Sequence, residues 1–152
     1  MIVDQKATIP APVEDVWAFV NDIPAVSRCV PGVEEFSKID DDNFEGALKV
    51  RVGPIGVRLQ GKIVVVERDE ENLTSAMNVS ATEKRINSTV SAKATMKLVP
   101  LSERETELNI HTEASILGKL GEFGQAVMKR KADQMVAEFA KNATKEITAR
   151  AG

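Results

Sequence analysis

From the VPGV turn (30–33) to residue 116 the chain alternates apolar and polar residues with a period of two. Five short polar stretches interrupt the alternation: DDDN (40–43), GPIG (53–56), RDEEN (68–72), TEKR (82–85) and PLSERE (100–105). A period of two sends successive side chains to opposite faces of a strand, and clusters of Gly, Pro, Asn and Asp form tight turns. The pattern therefore predicts six strands in series, joined by turns too short for a crossover and hence antiparallel. IVDQKATI (2–9) adds an opening strand. PAPVEDVWAFVND (10–22) predicts a proline-marked helix with Val13, Val16, Trp17 and Val20 on one stripe. A second short helix follows around residues 23–29. The pattern closes with about thirty residues of helix, from Lys119 to about Thr148, that carry Leu120, Phe123, Val127, Met135, Phe139 and Ile147 on or near one face. The expected class is α+β: seven strands, two short helices after the first, and a long C-terminal helix, in one domain spanning 1–152.

Strand parity says which side chains face inward. Phe44, Leu48, Val50 and Val52 share one face of their strand, and Ile55, Val57, Leu59, Ile63 and Val65 one face of the next. Arg51, Arg58, Gln60 and Lys62 then face solvent. The last two strands read inward as Ile86, Ser88, Val90, Ala92, Ala94, Met96, Leu98 and as Leu108, Ile110, Thr112, Ala114, Ile116. Several of these side chains are small. LGKLGEFGQAV (117–127) adds Gly118, Gly121 and Gly124 at the front of the long helix, where each glycine costs about 0.5–1 kcal/mol relative to alanine. Since interiors pack at about 0.74–0.76 density, two readings stay open. Either the helix lies very close to the sheet, or a ligand occupies the space beneath its first turns.

Composition removes several function classes. Twenty basic and 23 acidic residues leave a net charge of −3 with no aromatic-rich basic patch, so nucleic acid is not an expected partner. Cys29 is the sole cysteine and His111 the sole histidine, which argues against a disulfide or a zinc or iron site. The N-terminus lacks a basic segment followed by an apolar one, and the longest aliphatic run, Ile63 to Val66, is far too short to span a bilayer. A soluble, cytoplasmic protein is expected.

The order of elements is similar to the helix-grip fold of the START and polyketide-cyclase superfamily, in which a curved sheet wraps a C-terminal helix around an apolar cavity. Within it the chain resembles the CoxG-like family, named for a component of carbon monoxide dehydrogenase, through APVEDVWAFVNDIPAVSRCVPGVEEF (11–36), VRVGPIGVRLQGKIVV (50–65) and LGKLGEFGQAVMKRKADQMVAEF (117–139). TEKRINS (82–88) departs from the glycine-rich turn usual there. The resemblance implies a noncatalytic accessory of carbon monoxide dehydrogenase-type molybdenum hydroxylases, with a cavity that holds a quinone-like lipid in some members. It implies no intrinsic cofactor. Members with a long C-terminal tail attach to the membrane; this sequence stops at Gly152, so no tail-mediated anchor is expected.

The residues themselves offer little chemistry. His111 alternates with Ile110 and Thr112 toward solvent and reads as a surface histidine rather than a general base. Cys29 reads as a small buried hydrophobe rather than a reactive thiol. Asp40, Asp41 and Asp42 read as a solvated turn without the spacing of a calcium loop, and GPIG as a hairpin turn rather than a phosphate loop. KRK (129–131) reads as a solvated helix face, with at most transient contact to a membrane surface or an acidic partner. The expected function is binding of a lipophilic small molecule by Leu59, Gly61, Val90, Ala92, Ala94, Ala114 and Ile116 of the strands and Leu120, Phe123, Gly124 and Val127 of the helix. A leucine at Gly124 should then close the pocket. Two alternatives remain: an interaction or assembly module with a filled core, and a cyclase- or aromatase-like enzyme, for which the lining offers only Ser88 and Thr112 as polar groups and the chain no tyrosine.

Overall fold

The computed structural model describes residues 1–151. Its order is β1 (Ile2–Ile9), α1 (Val13–Val20), α2 (Ile23–Cys29), β2 (Val33–Lys38), β3 (Asn43–Val52), β4 (Ile55–Asp69), β5 (Thr74–Glu83), β6 (Ser88–Ser102), β7 (Glu105–Leu117) and α3 (Gln125–Ala151), with 3-10 turns at Lys84–Ile86 and Lys119–Phe123. The strands form one curved antiparallel sheet of order β1-β7-β6-β5-β4-β3-β2. The predicted seven-stranded α+β helix-grip arrangement is therefore present. Register shifts at Glu34/Ser37, Val65/Glu67 and Pro100/Ser102 mark bulges, which increase local twist and help the sheet curl.

Local sequence accounts for the two short helices. Pro12 enters α1 from extended backbone, and Glu14 and Asp15 in its first turn favour the positive end of the helix dipole. Asn21 ends it, donating its side-chain amide to the Trp17 carbonyl at 2.9 Å. One residue on, the Asp22 carboxylate accepts from the Ala25 N–H at 3.2 Å and caps α2. The chain therefore turns sharply between two helices instead of extending one.

The core separates into three clusters. At one end of the sheet Ile9, Val16, Phe19, Leu98, Leu108, Ala143 and Ile147 are buried together with Cys29, and Trp17 packs against them. At the other end Val52, Val57, Leu59 and Leu120 are buried, flanked by Val90, Ile116, Phe123 and Val127. Ile23, Phe44 and Val65 form the third, beside α2. Only Ala143 and Ile147 of the 27-residue α3 are fully buried. Its C-terminal half is also fastened by polar contacts, Arg28 to Glu146 at 2.8 Å and Asn142 to the Cys29 carbonyl at 3.0 Å.

One expectation fails at the start of α3. The helix begins at Gln125, not Lys119, because Lys119–Phe123 winds as a 3-10 turn that Gly124 terminates. The three glycines thus lie outside the helix. Gly118 and Gly124 have φ of +81° and +84° with ψ of −154° and 162°, a region essentially closed to other residues. A Cβ on Gly118 would also lie 1.9 Å from the Asn87 carbonyl oxygen, and one on Gly121 2.6 Å from that of Ile116. The Gly118 and Gly121 backbones are therefore packed directly against neighbouring backbone, whereas a Cβ on Gly124 meets nothing within 4 Å. Contact there does not plug a mouth; backbone conformation is what Gly124 supplies. In urea denaturation, Gly118→Ala should lose about 3 kcal/mol or more, from backbone overlap added to conformational strain, and Gly124→Ala about 1–2 kcal/mol from strain alone.

Candidate functional site

Strand register places the predicted lining residues in adjoining rows of the sheet. Gly46, Gly61, Ala81, Val90 and Ile116 form one row across β3 to β7, and Ile63, Val79, Ala92 and Ala114 the next. Met77, Ala94 and Thr112 follow. Six of the proposed residues, Leu59, Val90, Ile116, Leu120, Phe123 and Val127, meet in one cluster beneath the first turns of α3. Ala81, Ile86 and Met128 join them. Ala81 was legible from its alternation with Val79, but Ile86 sits in the 3-10 turn after β5, where parity along a strand does not apply.

The remaining proposed residues behave differently. Ala92, Ala94 and Ala114 lie at the centre of the α3-facing side, yet they and Val79 belong to none of the three packed clusters. Gly61 closes against β5, where a Cβ would sit 2.9 Å from the Ser80 carbonyl oxygen. Gly124 is exposed at the helix entrance and lines nothing. Leu120 is a structural anchor: it is 1% exposed, and its N–H donates at 3.0 Å to the Ser88 hydroxyl. Ser88, one of the two polar groups expected on this face, is thereby committed to holding the turn. Among the described residues no buried side-chain nitrogen or oxygen lacks a hydrogen-bond partner.

The outward face carries the polar residues that parity assigned to solvent. Arg51, Arg58, Gln60 and Lys62 border an open groove of about 1560 Å³ with Glu34, Glu35, Glu45, Glu83 and Arg85. Its charges are largely paired internally. Arg58 lies 2.8 Å from Glu35 and 3.5 Å from Glu34, and Lys62 3.8 Å from Glu45. A shallower depression of about 620 Å³ between Ile2, Val64, Ser91 and Ser115 also touches Val79, Ala92 and Ala114 from outside, although their side chains point the other way by parity.

Glu83 is the one buried carboxylate. Its oxygens accept from the Arg85 guanidinium at 3.2 Å, the Arg58 N–H at 2.9 Å and the Arg85 N–H at 3.2 Å. The bond from Arg85, followed by that from the Arg58 backbone, holds its carboxyl down at about 2 from an ordinary 4.5. His111 is on the outward face as expected, and the Asp4 carboxylate 2.6 Å from its Nδ1 raises its pKa. Burial pushes the Cys29 thiol up, in keeping with a protonated, hydrophobe-like cysteine. Among the described residues no group of three or more His, Cys, Asp or Glu could hold a metal ion, and no helix is long and apolar enough to cross a membrane.

Comparison with known proteins puts this geometry in context. The family model for CoxG of carbon monoxide dehydrogenase matches residues 6–148. No curated protein matches the chain by sequence. Among solved structures, a conserved protein from Geobacillus kaustophilus superposes with a TM-score of 0.88 at 21% identity, over 98% of this chain and 96% of that one. The Zhui aromatase/cyclase from a Streptomyces species gives 0.70 at 15%, over 100% and 96%. A START superfamily protein from Mycobacterium smegmatis gives 0.68 at 12%, over 97% of each chain. At such identities the likeness is one of fold.

Because the folded-state pKa of Glu83 is depressed, its contribution to stability is complete above about pH 4.5 and is lost as pH falls through about 2. Glu83→Gln should lower the melting temperature at pH 7. The gap to the wild type should close as both are melted at successively lower pH between those limits, and a gap that persists unchanged to pH 2 would refute the assignment.

Proposed function

We propose, from the premise that this chain belongs to the CoxG family of carbon monoxide dehydrogenase, that it binds a lipophilic small molecule of quinone-like character between the sheet and α3. It acts as a noncatalytic accessory to a molybdenum hydroxylase of the carbon monoxide dehydrogenase type. One observation carries the reading. Val79, Ala92, Ala94 and Ala114 occupy the centre of the α3-facing side of the sheet, yet no core cluster includes them.

Apolar surface at that position favours an apolar occupant. Removing a ligand's hydrocarbon area from water contributes about 25 cal/mol per Å² before binding costs. The satisfied state of the buried side-chain polar atoms supports binding over catalysis, because a carbonyl-polarising site would hold a donor in reserve. Entry past the front of α3 is consistent with how the helix is held. Ala143 and Ile147 and the polar contacts to α2 secure its C-terminal half. Its first turns, at Val127 and Met128, rest on partly buried side chains. Gly124 is the joint between the 3-10 turn and the helix.

The test is ligand extraction from the protein purified from its own host, read by native and denaturing mass spectrometry, together with melting in the presence of a short-chain quinone. A released lipophilic molecule or a quinone-dependent rise in melting temperature supports the reading. Ala94→Leu separates it from a filled core. In a ligand space the added side chain should abolish the quinone shift and change apo stability by less than about 0.5 kcal/mol, whereas overpacking a filled core costs about 1–3 kcal/mol. The latter cost, with no ligand and no shift, would leave an interaction module.

A further inference from the structure

The antiparallel topology sorts the charges of this chain to opposite poles. The turns after β2, β4 and β6 share one end, and residues 40–42, 69–71 and 103–105 place eight carboxylates and one cation, Arg104, there. The turn after β5, the 3-10 turn after β7 and the first turns of α3 share the other end. That end carries Lys84, Arg85, Lys119, Lys129, Arg130 and Lys131 against two carboxylates, Glu83 and Glu122. All six cations but Lys131 are exposed. A chain of net charge −3 therefore presents a positive pole, and Leu117 stands out of that pole at 63% exposure. The neighbouring turns touch: a Cβ on Gly118 would meet Asn87, and one on Gly53 would meet the Phe123 ring at 3.3 Å.

From this we infer that the β5–β6 turn, the 3-10 turn Lys119–Phe123 and the first turns of α3 form a docking surface for a bilayer bearing anionic headgroups. Clustered basic side chains beside a protruding apolar one are the combination that adsorbs reversibly to such a surface. The acidic pole faces away from the same negative surface, so repulsion there and attraction here act together to orient the molecule. Docking in this orientation brings the front of α3, the entry invoked above, against the lipid. The surface depends on the pocket reading for its purpose; its adsorption depends only on charge and Leu117.

The experiment is cosedimentation of the full chain with vesicles of phosphatidylcholine alone or with phosphatidylglycerol added, at low and physiological salt. Binding should require phosphatidylglycerol and weaken with salt. Replacing both Lys129 and Arg130 by Ala should reduce it about 25-fold, at about fivefold per charge, and Leu117→Ala should reduce it further. The Lys141→Ala, Lys145→Ala double variant makes the same change in net charge on the same helix at the opposite pole, and should bind as the wild type. Equal losses in both double variants, or no adsorption even at low salt, overturn the proposal. Polyglutamate binding that is lost with Lys129 and Arg130, without vesicle binding, would also overturn it, in favour of an acidic protein partner. Melting of the same variants with a short-chain quinone reports on the pocket separately: a retained quinone shift without vesicle binding refutes the docking surface alone, and the reverse refutes the pocket alone.

Discussion

A single helix has to cover the apolar side of a seven-stranded sheet. At about 1.5 Å per residue the 27 residues of α3 extend about 40 Å, long enough to run across the sheet but not broad enough to pack on every strand. The core consequently divides. One cluster gathers where α1 and the end of α3 meet β6 and β7, a second where the Lys119–Phe123 turn meets β3 and β4, and a third beneath α2. What lies among them is a row of small side chains on β5, β6 and β7. Much else in the molecule accommodates this division, including the bulges that curl the sheet and the direct backbone contacts that close the turn before the helix.

Those backbone contacts change the meaning of the glycines. Gly118 and Gly121 let the turn lie directly against Asn87 and Ile116, while Gly124 allows the reversal from which α3 departs. Empty volume is not their role. Room beneath the helix, on the reading favoured above, comes instead from the alanines of the facing strands. The hydrogen bond from Leu120 to Ser88 then anchors the turn, leaving the helix entrance defined by a fixed point on one side and a glycine joint on the other.

The same connectivity governs electrostatics. In a meander of antiparallel strands, successive turns alternate between the two ends, so a sequence that alternates acidic and basic turns becomes a molecule with two oppositely charged poles. Residues 40–42 and 69–71 are far apart in the chain and share a pole, as do residues 84–85 and 129–131 at the other. Along the sequence these are scattered charges with a small net sum. In space they are a direction.

Strand parity was sufficient to place Leu59, Val90, Ile116 and their neighbours on one face and Arg51, Arg58 and Lys62 on the other, because alternation is a property of each strand by itself. The turns, the two short helices and the surface position of His111 were legible for the same local reason, and the family resemblance followed from them. The start of α3 was not. Leu120 and Phe123 continue the helical stripe in sequence, yet the approach of Ile116 and Asn87 winds those residues into a 3-10 turn, and nothing local encodes that approach. Nor could alternation reveal that Ser88 is spent on a backbone N–H, that Glu83 is buried against Arg58 and Arg85, or that Ala92, Ala94 and Ala114 escape the packed clusters. The amino-acid sequence by itself determined the elements, their order and their two faces; tertiary structure alone decided which faces are filled, because packing depends on residues that meet only after the chain has turned back on itself.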